Sequence, residues 1–311
     1  MCKRQADGTV PADQEFQPIK HAVLIAGPTA SGKSAMALAK ARATGGVIIN
    51  ADAMQVYGVL DVLTARPDAD ALAQAPHEIY GHVQPGQAYS VAAWLDDVRR
   101  LAAAGAFDDA PPIFVGGTGL YFTALTLGLS DVPPVSPEIR ALWRQRALDE
   151  GAEALHRILA ERDAVMADRL RPTDGQRIVR ALEVFEATGR SLAQWQSERS
   201  APLVDMETAQ AFVIDPDRER LRARIDARFD QMMRLGALDE VRALKALCLD
   251  DAMPVMKAIG VRELSAALDG EISFDEAIAR AKTATHQFAK RQSTWFRNQF
   301  DASWTRLTQF G

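Results

Sequence analysis

The stretch Gly27-Pro28-Thr29-Ala30-Ser31-Gly32-Lys33-Ser34 decides the fold. It satisfies G-x-x-x-x-G-K-[S/T] at every fixed position, and its flanks have the required form. Residues 21–26, His-Ala-Val-Leu-Ile-Ala, are a short apolar run of the kind that makes a buried parallel strand. Residues 34–42 are alanine-rich, with Leu38 and Lys40, and read as a helix. Glycine lets the backbone curl without side-chain clash, so successive N–H groups point into one concavity. The following helix adds its unpaired first-turn donors and the positive end of its dipole. Lys33 supplies a full charge, and the Ser34 hydroxyl is a candidate Mg2+ ligand. These eight residues are therefore a phosphate grip. A nucleoside triphosphate is the commonest occupant of such a loop, but any diphosphate satisfies the same donors.

Working outward, residues 47–49 form a second apolar run, with Asn50, Ala51 and Asp52 at its carboxyl end. Ser90 is placed to cap a helix over residues 91–104. Pro111 and Pro112 introduce a third strand at 113–115, which ends in Gly116-Gly117-Thr118-Gly119. Strands alternating with helices predict an α/β fold, a P-loop NTPase-like parallel sheet flanked by helices. Ligands of such sheets sit at the carboxyl ends of the strands. That rule brings Asp52 and Thr118 toward the phosphate loop. Asp52 could hold Mg2+, accept a proton or cap the next helix; Thr118 could orient a substrate or only make a turn.

The pattern changes at Asp131-Val-Pro-Pro-Val-Ser-Pro137, a boundary signal. Residues 138–199 carry eleven arginines, no lysine and eleven carboxylates at helical spacing, a balance that argues against indiscriminate polyanion binding. Residues 212–215 resemble a returning strand, and the chain from Arg218 onward reads as helical, broken near Pro254 and Gly270. The expected organisation is a disordered extension over 1–19, an α/β core over 20–132 and 209–311 with a helical C-terminal part, and an all-helical insertion over 133–208.

Composition bounds the rest. With 311 residues, 48% of them hydrophobic, the chain can bury one large core and a second, smaller unit. A net charge of -5 excludes a polycation, so a nucleic-acid partner would need basic residues gathered on one face. Cys2 and Cys248 form no C-x-x-C pair, which argues against a disulfide framework or zinc site. No run of about 18 apolar residues is present, so no membrane span is expected. The first 19 residues lack the apolar stretch of a targeting segment, and the cytoplasm is the expected location.

Several segments together resemble one family. They are residues 27–34, Asn50-Ala-Asp-Ala-Met-Gln-Val-Tyr57, Thr64-Ala-Arg-Pro67, Tyr89-Ser90-Val91-Ala92 and Val115-Gly-Gly-Thr-Gly-Leu-Tyr121. Asp174-Gly-Gln-Arg-Ile-Val-Arg-Ala-Leu-Glu183 and Lys290-Arg-Gln-Ser-Thr-Trp-Phe-Arg297 follow in the same order. The set is similar to the tRNA dimethylallyltransferases, also called tRNA isopentenyltransferases, from about residue 21 to about residue 300. The resemblance implies transfer of a dimethylallyl group from dimethylallyl diphosphate to the exocyclic N6 of an adenosine beside the tRNA anticodon, with diphosphate leaving. It implies Mg2+ near Ser34, catalytic roles for Asp52, Thr118 and Lys33, and diphosphate contacts along Gly27 to Ser34. It also implies tRNA contacts at Asp52, Ala53, Met54 and Gln55, at Thr118 and Arg140, and at Gln176, Arg177, Ile178, Val179 and Arg180. Further contacts are implied at Lys257, Ala258, Ile259, Gly260, Val261 and Arg262, and at Lys290, Arg291, Gln292, Ser293, Thr294, Trp295, Phe296 and Arg297. The chain departs from the family at Ala53, where serine is usual, at Gly58, where a basic residue is usual, and at Leu63, where glycine is usual.

One observation supports the RNA reading without the resemblance. Between Glu276 and Asp301 stand five cations, Arg280, Lys282, Lys290, Arg291 and Arg297, with no carboxylate, and Trp295 and Phe296 among them. Arg228 and Arg234, on an arginine-rich helical stretch, are weaker candidates for diphosphate. Competing readings are a P-loop small-molecule kinase, an isopentenyltransferase acting on free adenine nucleotides, and a non-catalytic RNA-binding module. A monomer is the default expectation.

Overall fold

The computed structural model describes residues 16–309. Most of the expected extension, residues 1–15, lies outside the described residues. Its last residue does not: Ile19 is buried, and its N–H donates to the Leu203 carbonyl at 2.8 Å.

Along the chain the elements begin with β1 (Val23–Ala26), α1 (Lys33–Thr44), β2 (Val47–Asn50), α2 (Ala69–Gln74), β3 (His77–Glu78), α3 (Val91–Ala103), β4 (Pro112–Gly116) and α4 (Gly119–Leu127). Five helices follow: α5 (Pro137–Glu150), α6 (Ala152–Arg162), α7 (Ala164–Arg169), α8 (Gly175–Thr188) and α9 (Leu192–Ser197). The chain then returns through β5 (Gln210–Ile214), α10 (Arg218–Arg234), α11 (Ala237–Ala246), a 3-10 turn (Pro254–Lys257), α12 (Val261–Leu268), α13 (Phe274–Gln299) and β6 (Thr305–Leu307). The described residues form two compact units, one of residues 16–126 with 203–309 and one of residues 127–202.

The first unit is built on a six-stranded sheet in the order β3-β2-β4-β1-β5-β6, with every neighbouring pair parallel. β1 and β4 are buried along their whole length, because helices cover both faces of the sheet. Alternation along β1 sends Val23 and Ile25 into one layer with Met36, Ala37 and Ala41 of α1. Another cluster gathers Trp94 of α3, stacked on Tyr121 of α4 at 4.5 Å between ring centres. In register, Ala26 pairs with Gly116 and with Val213, while Asn50 pairs with Val115. The residues that follow β1, β2 and β4 therefore leave the sheet at one edge. The sequence reading extended helix to the end of the chain; instead β6 adds a parallel edge strand to β5, its N–H and C=O groups paired through Phe212 to Ile214.

The second unit is all helical. Its core is Trp143 of α5, Leu155 and Leu159 of α6, and Ile178, Ala181 and Leu182 of α8. Each large side chain buried there contributes about 1.5–3 kcal/mol. Glu183 is buried within this unit and is held by Arg180 at 3.5 Å and Arg144 at 3.9 Å. Arginine and carboxylate thus meet in pairs, as the balanced composition of this segment requires.

Candidate active site

The loop between β1 and α1 curls through two left-handed residues, Ala30 at φ 61° and Gly32 at φ 96°. Gly32 caps α1 without a side chain, so the first-turn amides are left for a ligand. Ser31 is 1% exposed and its hydroxyl has no partner among the described residues, although buried hydroxyls are nearly always paired. Lys33 donates from Nζ to the Pro28 carbonyl at 3.3 Å. Burial lowers its pKa to about 8; Asp52 pulls it back and Arg228 pushes it further down. Burial likewise depresses Arg228 of α10, against the attraction of Asp52. Two desolvated cations facing one carboxylate leave a positive concavity that an anion would complete.

Asp52 is positioned by Asn50, which is wholly buried. Asn50 Oδ1 accepts the Asp52 N–H at 2.9 Å, and its Nδ2 donates to the carbonyls of Asp52 and Ile79, each at 3.0 Å. Trp94 Nε1 donates to the Asn50 carbonyl at 2.7 Å. Asp52 Oδ1 accepts the Met54 N–H at 3.0 Å, while Oδ2 lies toward Gly117. Thr118 Oγ1 accepts the Ala53 N–H at 2.9 Å, which frees its own proton for donation. The glycines around Thr118 answer close approaches: a Cβ at Gly116 would overlap the Ala51 carbonyl, and one at Gly119 would overlap the Trp295 ring.

Two concavities open beside this turn. One, of about 600 Å³, is lined by Thr29, Asp52, Thr118 and Arg228 and by apolar Leu63, Ile225, Phe229, Met232, Phe288 and Trp295. The other, of about 860 Å³, is lined by Ser31, Gly32, Lys33 and Ser34 with Gln55, Tyr80 and Arg224. Ala30 and Arg228 line both, so the phosphate loop is the partition between a more polar cavity and a more apolar one.

The expected site residues divide by this geometry. Asp52, Ala53, Met54, Thr118, Lys257, Ala258, Ile259, Arg291, Gln292, Trp295 and Phe296 all line the apolar cavity. Gln55 lines the other cavity, and its Nε2 is committed to the carbonyls of Thr64 and Ala65, each at 2.9 Å. Arg228 lines both cavities, whereas Arg234 is exposed at the last turn of α10 and lines neither. Val261 and Ser293 are buried in the first unit, and Ile178 and Val179 in the second, so these four side chains are not presented to a partner. Gln176, Arg177 and Arg140 are exposed on the helical unit, and Arg262, Lys290, Thr294 and Arg297 on the first. Three of the five cations counted near the C-terminus have carboxylate partners: Arg280 with Glu276, Lys282 with Asp230 and Arg297 with Asp215. Lys290 and Arg291 have none among the described residues.

Some residues went unnoticed in the sequence. Leu221, Ile225 and Phe229 of α10 have plain i, i+4 spacing, but spacing does not tell that Leu221 faces the core while Ile225 and Phe229 line the cavity. Glu240 of α11 accepts the N–H groups of Asp61, Val62 and Leu63 at 2.8, 2.7 and 2.9 Å, and so fixes the loop that carries Leu63 into the apolar cavity.

A parallel sheet, a loop of phosphate-binding sequence at its central strand, and a carboxylate facing an apolar cavity define the class as an α/β protein of the P-loop kind. Comparison with known proteins narrows the class. The family model described as IPP transferase matches residues 55–299, and that described as isopentenyl transferase matches residues 20–80. The chain is 58% identical to the tRNA dimethylallyltransferase of Mesorhizobium japonicum over 95% of its own length and 92% of the relative's. Among solved structures, the full-length tRNA isopentenylpyrophosphate transferase of Bacillus halodurans has 31% identity and a TM-score of 0.65, covering 93% of this chain and 89% of that one. A eukaryotic dimethylallyltransferase acting on tRNA has 26% identity and a TM-score of 0.76, covering 89% of this chain and 70% of that one. The chain belongs to the tRNA dimethylallyltransferases, a family of prenyltransferases.

Proposed function

We propose that the chain transfers a dimethylallyl group from dimethylallyl diphosphate to N6 of an adenosine next to the anticodon of tRNA, releasing diphosphate. The observation that carries this reading is the shared wall of the two cavities: phosphate donors on one side, and Asp52 and Thr118 in an apolar surround on the other. A prenyl donor needs an apolar pocket beside its phosphates, and Leu63, Ile225, Phe229, Met232 and Phe288 supply one.

The chemistry follows from the residues. The bond between the allylic carbon and the bridging oxygen breaks, and its electron pair stays with diphosphate. The loop amides, Lys33 and Arg228 bind that developing charge better than they bind the donor's, which is what accelerates the step. Adenine N6 forms the new C–N bond, and its proton passes to Asp52 Oδ2, the carboxylate oxygen without a partner among the described residues. Thr118 donates its hydroxyl proton near the same centre. Ser34 is exposed at the head of α1, and its hydroxyl would hold a Mg2+ there. Bound there, the ion would neutralise charge on the leaving diphosphate.

The acceptor base must leave its stack, which costs least in a single-stranded loop such as that of the anticodon. Exposed Arg140, Gln176, Arg177, Lys257, Arg262, Lys290 and Arg291 are the proposed RNA contacts. No helix among the described residues is long and apolar enough to cross a membrane. We infer a monomer acting in the cytoplasm. Incubation with labelled dimethylallyl diphosphate, Mg2+ and either tRNA, AMP or ATP tests the function. Label is expected in tRNA alone; label in AMP alone, or phosphate moving from ATP, would overturn it.

A further inference from the structure

The cavity beside Lys33 and Ser34 has a donor in its wall that the mechanism above does not use. Tyr80 lines that cavity, and its ring packs against the apolar layer that includes Ala37, Ile48 and Val115. The residue before it, Ile79, has φ 64°, a left-handed conformation that a β-branched side chain resists. Strain of this kind persists only where the surroundings impose it. Here the Asn50 amide imposes it, donating to the Ile79 carbonyl at 3.0 Å while its other contacts fix Asp52. One buried amide therefore sets both the carboxylate and the direction in which Tyr80 leaves the sheet.

Of the other three tyrosines, Tyr57 donates to the Gln87 carbonyl and Tyr89 to Asp97, while Tyr121, whose hydroxyl has no partner among the described residues, lines neither cavity. The Tyr80 hydroxyl has no such partner among the described residues. Burial first, and Asp52 second, raise its pKa, so the phenol keeps its proton. We propose that the Tyr80 hydroxyl donates a hydrogen bond to the diphosphate held at Ser31 to Ser34, making Tyr80 a further leaving-group-binding residue. The assignment rests on the prenyl-transfer reading. A neutral donor suits this wall, since Lys33 and Arg228 already hold their charges at the cost of desolvation.

Tyr80→Phe keeps the ring and removes the donor. Calorimetric titration with inorganic diphosphate and Mg2+, without tRNA or prenyl donor, reads the contact apart from transfer. Affinity is expected to fall about tenfold or more, with tRNA affinity and melting temperature unchanged. Diphosphate affinity within about twofold of the parent's would overturn the assignment. Tyr57→Phe is the control for loss of a buried tyrosine hydroxyl that lines neither cavity; an equal loss of diphosphate affinity there would also overturn it. If Tyr80→Phe loses diphosphate affinity while the parent transfers nothing to tRNA, the Tyr80 contact stands and the prenyl-transfer reading fails.

Discussion

Thr29 and Gln292, from opposite ends of the chain, are joined directly: the Thr29 N–H donates to Gln292 Oε1 at 2.9 Å. The Nε2 of the same amide donates to the Gly117 carbonyl at 2.9 Å. One buried side chain thus ties the phosphate loop to the turn that carries Thr118. Gln292→Ala leaves two backbone groups without these partners, at about 1–3 kcal/mol each where no water replaces them. The urea midpoint is expected to drop and diphosphate affinity to weaken with it. A variant as stable as the parent would show that the tie is dispensable.

Asp52→Asn preserves the size of the side chain and the bond from the Met54 N–H, but cannot take the N6 proton. Single-turnover transfer is expected to slow by about 10²–10⁴-fold. Affinity for the prenyl diphosphate is expected to stay close to the parent's. An unchanged single-turnover rate would remove Asp52 from the base role.

Lys33 links diphosphate binding to pH. With its pKa near 8 in the empty site, the lysine is charged below that value and loses its proton above it. A bound anion favours the charged form and raises the pKa again, so binding above pH 8 takes up a proton. Affinity should therefore fall by up to about tenfold per pH unit above that point, until the pKa of the complex is reached. Lys33→Arg stays charged throughout, and the difference between the two profiles isolates the lysine from the ionisation of diphosphate itself. Stability moves the other way. The unfolded lysine, at its ordinary 10.5, binds more protons than the native one between about 8 and 10.5, so this group makes the fold more stable as pH rises through that window. Parallel affinity profiles for parent and Lys33→Arg would contradict the assignment.

Lys290 and Arg291 are exposed on α13 and lack the carboxylate partners that Arg280, Lys282 and Arg297 have. Reversing both charges is expected to weaken tRNA binding and to reduce its salt slope by about 1 for each phosphate no longer neutralised. Diphosphate affinity should not change. Filter binding across a salt series measures the slope, and an unaltered slope would exclude the pair from the RNA surface.

The phosphate loop was legible in the sequence because a backbone curl demands particular residue types at contiguous positions. β1, β2, β4 and β5 were legible because strands covered on both faces carry short, nearly continuous apolar runs. β3 and β6 were not: His77–Glu78 and Thr305–Leu307 are short edge strands without an apolar run, set by pairing with β2 and β5. The same reason hid Asn50, Glu240 and the inward role of Gln292. Each acts through hydrogen bonds to backbone, two of them across long stretches of chain, and such bonds leave no periodic signature. Among the expected RNA contacts, the motif identified the segment but not the face, so core residues such as Ile178 were grouped with exposed neighbours such as Arg177.

The order of strands in the sheet also fixes an order of assembly on the ribosome. β1 lies between β4 and β5, and β5 is synthesised only after the whole helical unit. Residues 127–202 are continuous and can compact as they emerge, while β1 waits with one edge unpaired. The phosphate loop waits longer still, for Gln292. A product terminated anywhere before that residue would contain all eight loop residues and still lack the finished grip, so incomplete chains should be poor competitors for diphosphate.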